Sequence, residues 1–558
     1  FDPFYDSSDW YPSDLAYARQ PYIMRDVRGV VVVVNPLQYN AASQTLRVYD
    51  RVVVEVVAVG PGKVNVLTVR PDKLDAEFRS IYERHFLNFD SSDIGRYPPV
   101  ADGGNMLVIC YDDPGFLAAM QPLVDWKSQM GMPCEMVTTT DAGGSAAGID
   151  AYIEQYYNDN GLTYVLLVGD AAQVPSLTVS DLSDPSYSLI TGDNYPDLLV
   201  GRFSAESPSQ VETQVLRTTE YEKRPQTGAD WYHKGMGVAS NQGPGDDGEY
   251  DDEHEDNIRA DLLAFTYTEV DQIYDPSGTA TMVTNALNEG RSIINYTGHG
   301  STTSWGSTGF SNTHINALTN DNMLAFGVSV ACENGDFDAG TCFGEAWLRA
   351  TNGSEPTGAI GFYASTISQS WNPPMDAQDE IVDLLVGTST EGVRRTFGGM
   401  CYNGCGHMMD EYGSSGENEF FHWTIFGDPS LRVRTDTPAP VTVNHITVIY
   451  PSMTTFEVEV VGVEGALCAL YGNGVLYGSA LTDATGNVTV PIGSMPPVGE
   501  MLTLTVTGFN TETYTSDIPV IVPVTYDINP PTIPVSAATP VVVTVWDSGG
   551  APLPDVEI

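Results

Sequence analysis

The chain opens with stretches in which β-branched residues dominate and turn residues punctuate. Residues 29–35, 44–49 and 51–59 are rich in valine and bounded by Asn, Pro and Gly, which predicts short strands. A polar stretch over residues 88–100 has neither a helical nor a strand period and reads as an exposed linker. From about residue 105 to 435 the pattern changes. Continuously apolar runs (106–111, 164–169, 292–296, 325–331 and 358–363) alternate with helical stretches such as 115–130 and 149–157. Apolar runs without polar alternation, interleaved with helices, predict a mostly parallel sheet covered on both faces. Beyond Pro438 the runs become short, alternating and turn-bounded, as at 454–460 and 502–507, which predicts an antiparallel sandwich. A Pro-rich stretch at 528–534 precedes one more strand run at 541–546. The expected division is 1–96, 97–435, 436–524 and 525–558, the last being a linker and the start of further β structure.

Charge narrows the function. The 558 residues carry 73 Asp and Glu against 24 Lys and Arg, a formal charge of -49. A field of that sign repels phosphate backbones and anionic lipid, so nucleic acid and membrane surfaces are poor partners. It suits cationic substrates, bound divalent cations or high salt. At 42% hydrophobic and 10% aromatic residues the chain can bury a core and is not an acidic disordered tail. No apolar run approaches the roughly 20 residues that span a bilayer. A cleaved export signal ahead of Phe1 is compatible with this sequence. The seven scattered cysteines exclude a disulfide-stapled framework, and their odd number leaves at least one thiol outside any internal pairing.

In a parallel sheet, reactive residues gather at the carboxyl ends of strands. One apolar run leads into residues 295–301 and places His299 between two glycines; another leads into residues 330–337 and places Cys332 at its end. A cysteine nucleophile needs a nearby base to reach the thiolate state. The glycines let a substrate backbone approach closely and free peptide N–H groups to face an oxyanion. The pattern therefore predicts a Cys332–His299 dyad with the amides of Gly300 and Cys332 as oxyanion donors. The alternative, a buried thiol and a loop histidine at neighbouring strand ends, accounts less well for these glycine contexts.

Residues 293–331 with Cys332, including His299, Gly300, Ser301, Trp305 and Gly306, resemble the gingipain-type cysteine endopeptidases. So do residues 364–371, 374–380, 395–399 and 423–434, and the similarity covers roughly 97–520. The resemblance implies an α/β caspase-like catalytic domain with a mostly parallel sheet, a β-rich N-terminal prodomain and a C-terminal Ig-like β-sandwich. It also implies protein or peptide substrates cut after a basic residue. In the arginine-specific members an Asp at the pocket base pairs with the guanidinium and a Trp lines the wall. Asp251, and Gln369 with Trp371, fall on those positions, and a carboxylate facing a planar five-donor cation selects Arg over Lys. Asp376, close to the wall, is a residue able to shift the preference towards Lys.

The resemblance breaks at the third catalytic member, where an acid is expected and this chain offers Gln242, with Asp246 or Asp247 as substitutes. A glutamine orients an imidazole but cannot stabilise imidazolium by charge. The junction at Arg96 and Tyr97 resembles the site at which gingipain prodomains are released, so residues 1–96 are expected to inhibit the catalytic domain and Tyr97 to begin the mature chain. Structural calcium is expected on Glu345, Asp379 and Glu380, with the Phe337 carbonyl, and near Asp170, Asp193 and Asp197. Cys401 and Cys405 have an atypical spacing for zinc and read as structural. The resemblance also implies a secreted, extracellular or cell-surface protein. The rival reading is a catalytically weak or locked homologue serving extracellular adhesion or structure, which the missing acid and the acidity favour and the Cys332 and His299 contexts oppose. High salt and calcium supply explain the acidity equally well.

Overall fold

The computed structural model describes residues 8–56, 62–67, 76–89, 104–192, 194–338, 340–389, 392–522, 525–529 and 542–546. Ten strands form the central sheet: β1 Met106–Cys110, β2 Cys134–Thr138, β3 Tyr164–Val168, β4 Leu199–Phe203, β5 Lys234–Ala239, β6 Glu269–Tyr274, β7 Ile293–Thr297, β8 Ala325–Val330, β9 Ala359–Ser365 and β10 Trp423–Phe426. Their spatial order is β6-β5-β7-β8-β9-β10-β4-β3-β1-β2. Every pairing is parallel except β9–β10, so two parallel halves of five strands meet along one antiparallel seam. Strands β1, β3, β7, β8 and β9 are buried along their whole length, which is why their sequences carry no polar alternation. The seam turns the halves in opposite directions, and the carboxyl ends of β5, β7, β8 and β9 share one edge of the sheet.

Among the helices that brace this sheet and its loops are α1 Pro114–Met130, α2 Pro208–Lys223, α3 Asp251–Ala264, α4 Asn372–Val386, α5 Phe397–Tyr412 and α6 Ser414–Phe421. The limits of α1 are set locally. Asp113 accepts from the Gly115 and Phe116 amides, Pro114 opens the first turn, and Gly131 closes the helix at φ 109. Near its end α1 buries Lys127, whose Nζ reaches Glu222 on α2 at 2.6 Å and Asp428 after β10 at 2.7 Å. Trp126 Nε1 donates to the same Glu222 at 2.9 Å. Burial alone would push the ammonium down, but Asp428 and Glu222 overcome that and hold it charged.

The C-terminal sandwich pairs a three-stranded sheet (Val443–His445, Thr455–Val460, Asn487–Pro491) with a four-stranded one (Leu467–Gly472, Val475–Leu481, Met501–Thr507, Tyr514–Pro519). Phe456, Val458, Leu470, Leu502 and Leu504 fill it. It is tied to the central domain by Ser479, which donates to the Gly131 carbonyl at 2.7 Å, and by Arg434, which donates to the Thr511 carbonyl at 2.7 Å.

The N-terminal region differs from expectation in two ways. Its strands are short antiparallel pairs, but residues 51–56 form no strand, and Ala76–His85 is a helix. Phe78, Ile81 and Tyr82, at positions i, i+3 and i+4 of one helical face, are buried, a period masked in the sequence by the β-rich context. This region rests on the α5 side of the central domain: Arg19 donates to the Asp410 carbonyl at 2.5 Å, and the Tyr157 hydroxyl donates to Asp26 at 3.4 Å. Arg96 and Tyr97 lie outside the described residues. The 541–546 run appears as Val542–Trp546, paired antiparallel with Thr525–Asn529, so part of the expected linker is strand. Among the described residues no helix is long and apolar enough to cross a membrane.

Candidate active site

Three adjacent strands deliver the reactive groups. β5 ends at Ala239, and its loop carries Ser240 and Gln242; β7 ends two residues before His299, and β8 two residues before Cys332. Ala239 is opposite Thr297 and Thr297 opposite Val330, so the three loops start at one level. The His299 carbonyl is fixed by the Tyr296 hydroxyl at 2.6 Å and the Gly306 amide at 2.7 Å. Its Nε2 faces Gln242 Oε1 at 3.2 Å. The acids considered for that role have other positions: Asp246 accepts from the Tyr412 hydroxyl, and Asp247 sits in a left-handed turn at φ 51.

Gly300 has to be glycine, since a Cβ there would lie 2.6 Å from the Cys332 carbonyl oxygen. Its amide faces the Cys332 sulfur, which itself lies 3.8 Å from the Gln369 carbonyl. Half-burial pushes the Cys332 thiol up, the carboxylates of Glu333 and Glu419 add to this, and the Gly300 amide opposes it. The balance favours the thiol over the thiolate, in keeping with a neutral Gln242 behind His299. Because only the thiolate reacts, alkylation of Cys332 by iodoacetamide, followed by mass spectrometry, should still be accelerating at about pH 9. A plateau below about pH 7 would reveal a preformed thiolate–imidazolium pair instead.

A buried carboxylate lies beside this pair. Asp251, fully buried, begins α3. Its Oδ2 accepts from the Ser240 hydroxyl and its Oδ1 from Trp371 Nε1 at 2.9 Å. Burial pushes its carboxyl up, while those hydrogen bonds and the nearby His254 and His299 charges pull it down. The Trp371 ring also meets His299 edge-on, with 5.1 Å between ring centres. Gln369 Oε1 accepts from the Ala331 amide at 2.9 Å, fixing the backbone just before Cys332. Gly245 and Met375 close the other side, near enough that a Cβ on Gly245 would be 2.9 Å from Trp371. Asp376 is paired with His407 Nδ1 at 3.2 Å. Ser240, Gly245 and Met375 escaped the sequence reading because nothing local in their neighbourhoods marks them.

Among the described residues, those expected to hold calcium do not gather into metal-holding groups. Asp193 lies outside the described residues. Asp170 and Glu345 share Arg349, at 3.1 and 2.5 Å, and Glu345 also accepts from Ser204 and from the Cys342 amide. There an internal guanidinium already supplies the positive charge. Asp197 is taken up by the Ile190 and Thr191 amides, Phe337 packs under Arg202, and Glu380 accepts from Ser389. Asp379 is different. His254, fully buried, donates through Nε2 to Gln378 Oε1 at 3.0 Å, which leaves Nδ1 facing Asp379 at 3.4 Å and Glu249 at 3.7 Å. Those two carboxylates outweigh burial and push the His254 imidazole well above its ordinary pKa. The set is therefore an imidazole whose charged form two acids favour, and its nitrogen is not the oxygen donor that calcium takes. Sequence reading found Asp379 but not His254 or Glu249, which sit in an acidic run. Among the described residues Asp181, Asp336 and Asp338 also bring carboxylate oxygens within 4.8 Å of one another. Cys401 and Cys405 are buried on α5, the latter against the Tyr363 hydroxyl at 3.1 Å.

A two-halved parallel sheet with a thiol and an imidazole at adjacent strand ends defines a caspase-like cysteine endopeptidase. Peptidase family C25 matches residues 100–434, its propeptide residues 2–91 and its C-terminal Ig-like domain residues 445–521. The chain belongs to peptidase family C25 and carries that family's propeptide. It is 38% identical over 525 residues to gingipain R2 of Porphyromonas gingivalis, covering 92% of this chain and 71% of that one. It is 25% identical over 526 residues to Lys-gingipain HG66 of the same organism, covering 85% and 29%. Among solved structures, the Arg-specific cysteine proteinase gingipain R superposes with a TM-score of 0.72 at 38% identity, over 76% of this chain and all of that one. A complex of RgpB pro- and mature domains matches equally well, with a TM-score of 0.72 over 75% of this chain.

Proposed function

We propose that this chain is an extracellular endopeptidase that cleaves after basic residues, with arginine preferred, by a Cys332–His299 dyad. As Cys332 attacks the scissile carbonyl, its proton passes to His299 and the new C–S bond leaves an oxyanion on the amides of Gly300 and Cys332. The intermediate collapses with loss of the amine, which takes the proton from imidazolium. Water, deprotonated by His299, then hydrolyses the thioester and regenerates the thiol. Gln242 orients His299 without charge. Asp251 pairs with the substrate guanidinium, and Trp371 with the Gln369 carbonyl walls the pocket.

One observation carries this reading: a fully buried carboxylate, held by Ser240 and Trp371, on the indole that also touches His299. A buried acid that neighbouring histidines compensate only in part is costly, and a guanidinium supplies a direct partner. The test is to open the linker of the full chain with trypsin, inhibit the trypsin, and add arginyl and aspartyl chloromethyl ketones. Mass spectrometry should place the arginyl adduct on Cys332 and find no aspartyl adduct. Equal labelling by both reagents, or arginyl labelling of another residue, would defeat the proposal. Release of residues 1–96 is tested on chain never exposed to trypsin: self-processing should give a chain beginning at Tyr97, and Cys332→Ala should not give it.

Calcium would be held by Asp181, Asp336 and Asp338, whose carboxylate oxygens lie within 4.8 Å of one another. Its role would be structural. At a concentration 100-fold above Kd it should stabilise the protein by about 2.7 kcal/mol over EGTA-treated material. Asp336→Asn should abolish the difference in Tm between calcium and EGTA. Calcium-independent Tm in the unaltered chain would contradict this assignment.

A further inference from the structure

The segment Gln369, Ser370, Trp371 makes the contacts on which this chemistry depends. It reaches the Cys332 sulfur, the amide of Ala331, the carboxylate of Asp251 and the ring of His299. Gln369 and Ser370 nevertheless belong to no helix or strand. A loop that must hold a carbonyl and an indole in fixed places needs support from behind. The support comes from the middle residue: the Ser370 amide and hydroxyl both donate to Oε1 of Glu419 on α6, at 3.2 and 2.5 Å. Glu419 is 3% exposed. Two donors from one residue to one carboxylate oxygen fix both the backbone and the side chain of Ser370, and a charged acceptor makes such bonds shorter and stronger. Nothing in the sequence joins Glu419 to this loop, since 49 residues separate it from Ser370.

We propose that Glu419 is a positioning residue for the primary specificity pocket, acting through Ser370 to set the Gln369 carbonyl and the Trp371 indole. The inference rests on the proposed roles of Cys332 and Asp251. Its requirement is for a hydrogen-bond acceptor at this place. Glutamine, which keeps a carbonyl oxygen of the same reach, preserves the clamp, and alanine removes it. The wall contacts the P1 side chain and not the intrinsic reactivity of the sulfur, so discrimination suffers more than nucleophilicity.

The experiment uses the full chain with its linker opened by trypsin, and follows Cys332 adducts by mass spectrometry with two reagents, an arginyl chloromethyl ketone and iodoacetamide. Glu419→Ala should slow arginyl labelling by about 30-fold, in line with the cost of misplacing a positioning group. Its iodoacetamide rate should stay within about threefold of the unaltered chain, with any change an increase, because half-burial of the sulfur is unchanged and loss of the Glu419 charge eases deprotonation. Glu419→Gln should restore arginyl labelling, and adding Ser370→Ala to Glu419→Ala should cost little more, since both remove one clamp. Unchanged arginyl labelling in Glu419→Ala overturns the inference. So does an equal loss with both reagents, which would mark a general structural role, or a Glu419→Gln variant as slow as Glu419→Ala, which would mark a need for charge. If the unaltered chain takes a lysyl or aspartyl reagent instead of the arginyl one, the pocket reading has failed, and the same variants compared with that reagent still decide the role of Glu419.

Discussion

Asparagine at position 251 should lower kcat/KM for a peptide cut after arginine by about 10³-fold, the cost of breaking a buried charged pair. The substitution keeps the shape of the side chain; its one oxygen still accepts from Trp371 and its NH2 turns to donate to the Ser240 hydroxyl oxygen, so the loss falls mainly on the substrate's guanidinium. The folded protein should not suffer. Burial already pushes the Asp251 carboxyl up, which means the empty pocket holds its charge at a cost, and Asp251→Asn relieves it. Tm at or above that of the unaltered chain, together with the collapse in kcat/KM, is the expected pair of results. The pH dependence follows in sign. A raised carboxyl takes up its proton sooner as pH falls, so KM for arginine peptides should rise on acidification earlier than an ordinary aspartate would cause. Arginine cleavage that survives in Asp251→Asn would shift the anchor to another acid, with Asp376 first in line.

The second large effect concerns stability. Lys127→Met should destabilise the central domain by about 4 kcal/mol and lower Tm by roughly 10 °C, because Glu222 and Asp428 are left buried without a cation. Methionine fills the volume of the lysine stem, so packing loss contributes little. Burial pushes the Glu222 carboxyl up even with the lysine present. Without the lysine both acids must bind a proton to stay inside, which favours the folded state at low pH and penalises it as pH rises. The Tm gap between variant and unaltered chain should therefore be smaller at about pH 5 than at about pH 8, as read by calorimetry. An equal gap at both values would mean that packing, not charge, makes the contribution.

How much of the fold and site was legible depends on sequence distance. The central sheet was readable because its strands are buried on both faces and so appear as unbroken apolar runs, as at 325–331. The order of those strands, and the antiparallel seam between β9 and β10, was not, since periodicity does not encode neighbours. His299 and Cys332 stood out through their glycine flanks at strand ends, and Gly300 answers to a real steric limit. Asp251 was visible only through resemblance, because one acid in an acidic run carries no local mark. Lys127 illustrates what stays hidden: Glu222 lies 95 residues away, and only the fold brings them together. The N-terminal helix was missed for the opposite reason. The spacing of Phe78, Ile81 and Tyr82 was present, but its valine-rich surroundings dominated the reading.

The most direct test is hydrolysis of four matched fluorogenic peptides that differ only in Arg, Lys, Asn or Asp before the reporter, with Cys332→Ala measured beside the unaltered chain. The account predicts rapid cleavage after Arg, slower cleavage after Lys, none after Asn or Asp, and loss of all turnover in Cys332→Ala. Turnover that persists in Cys332→Ala, or silence on all four peptides after the linker has been opened, would contradict it.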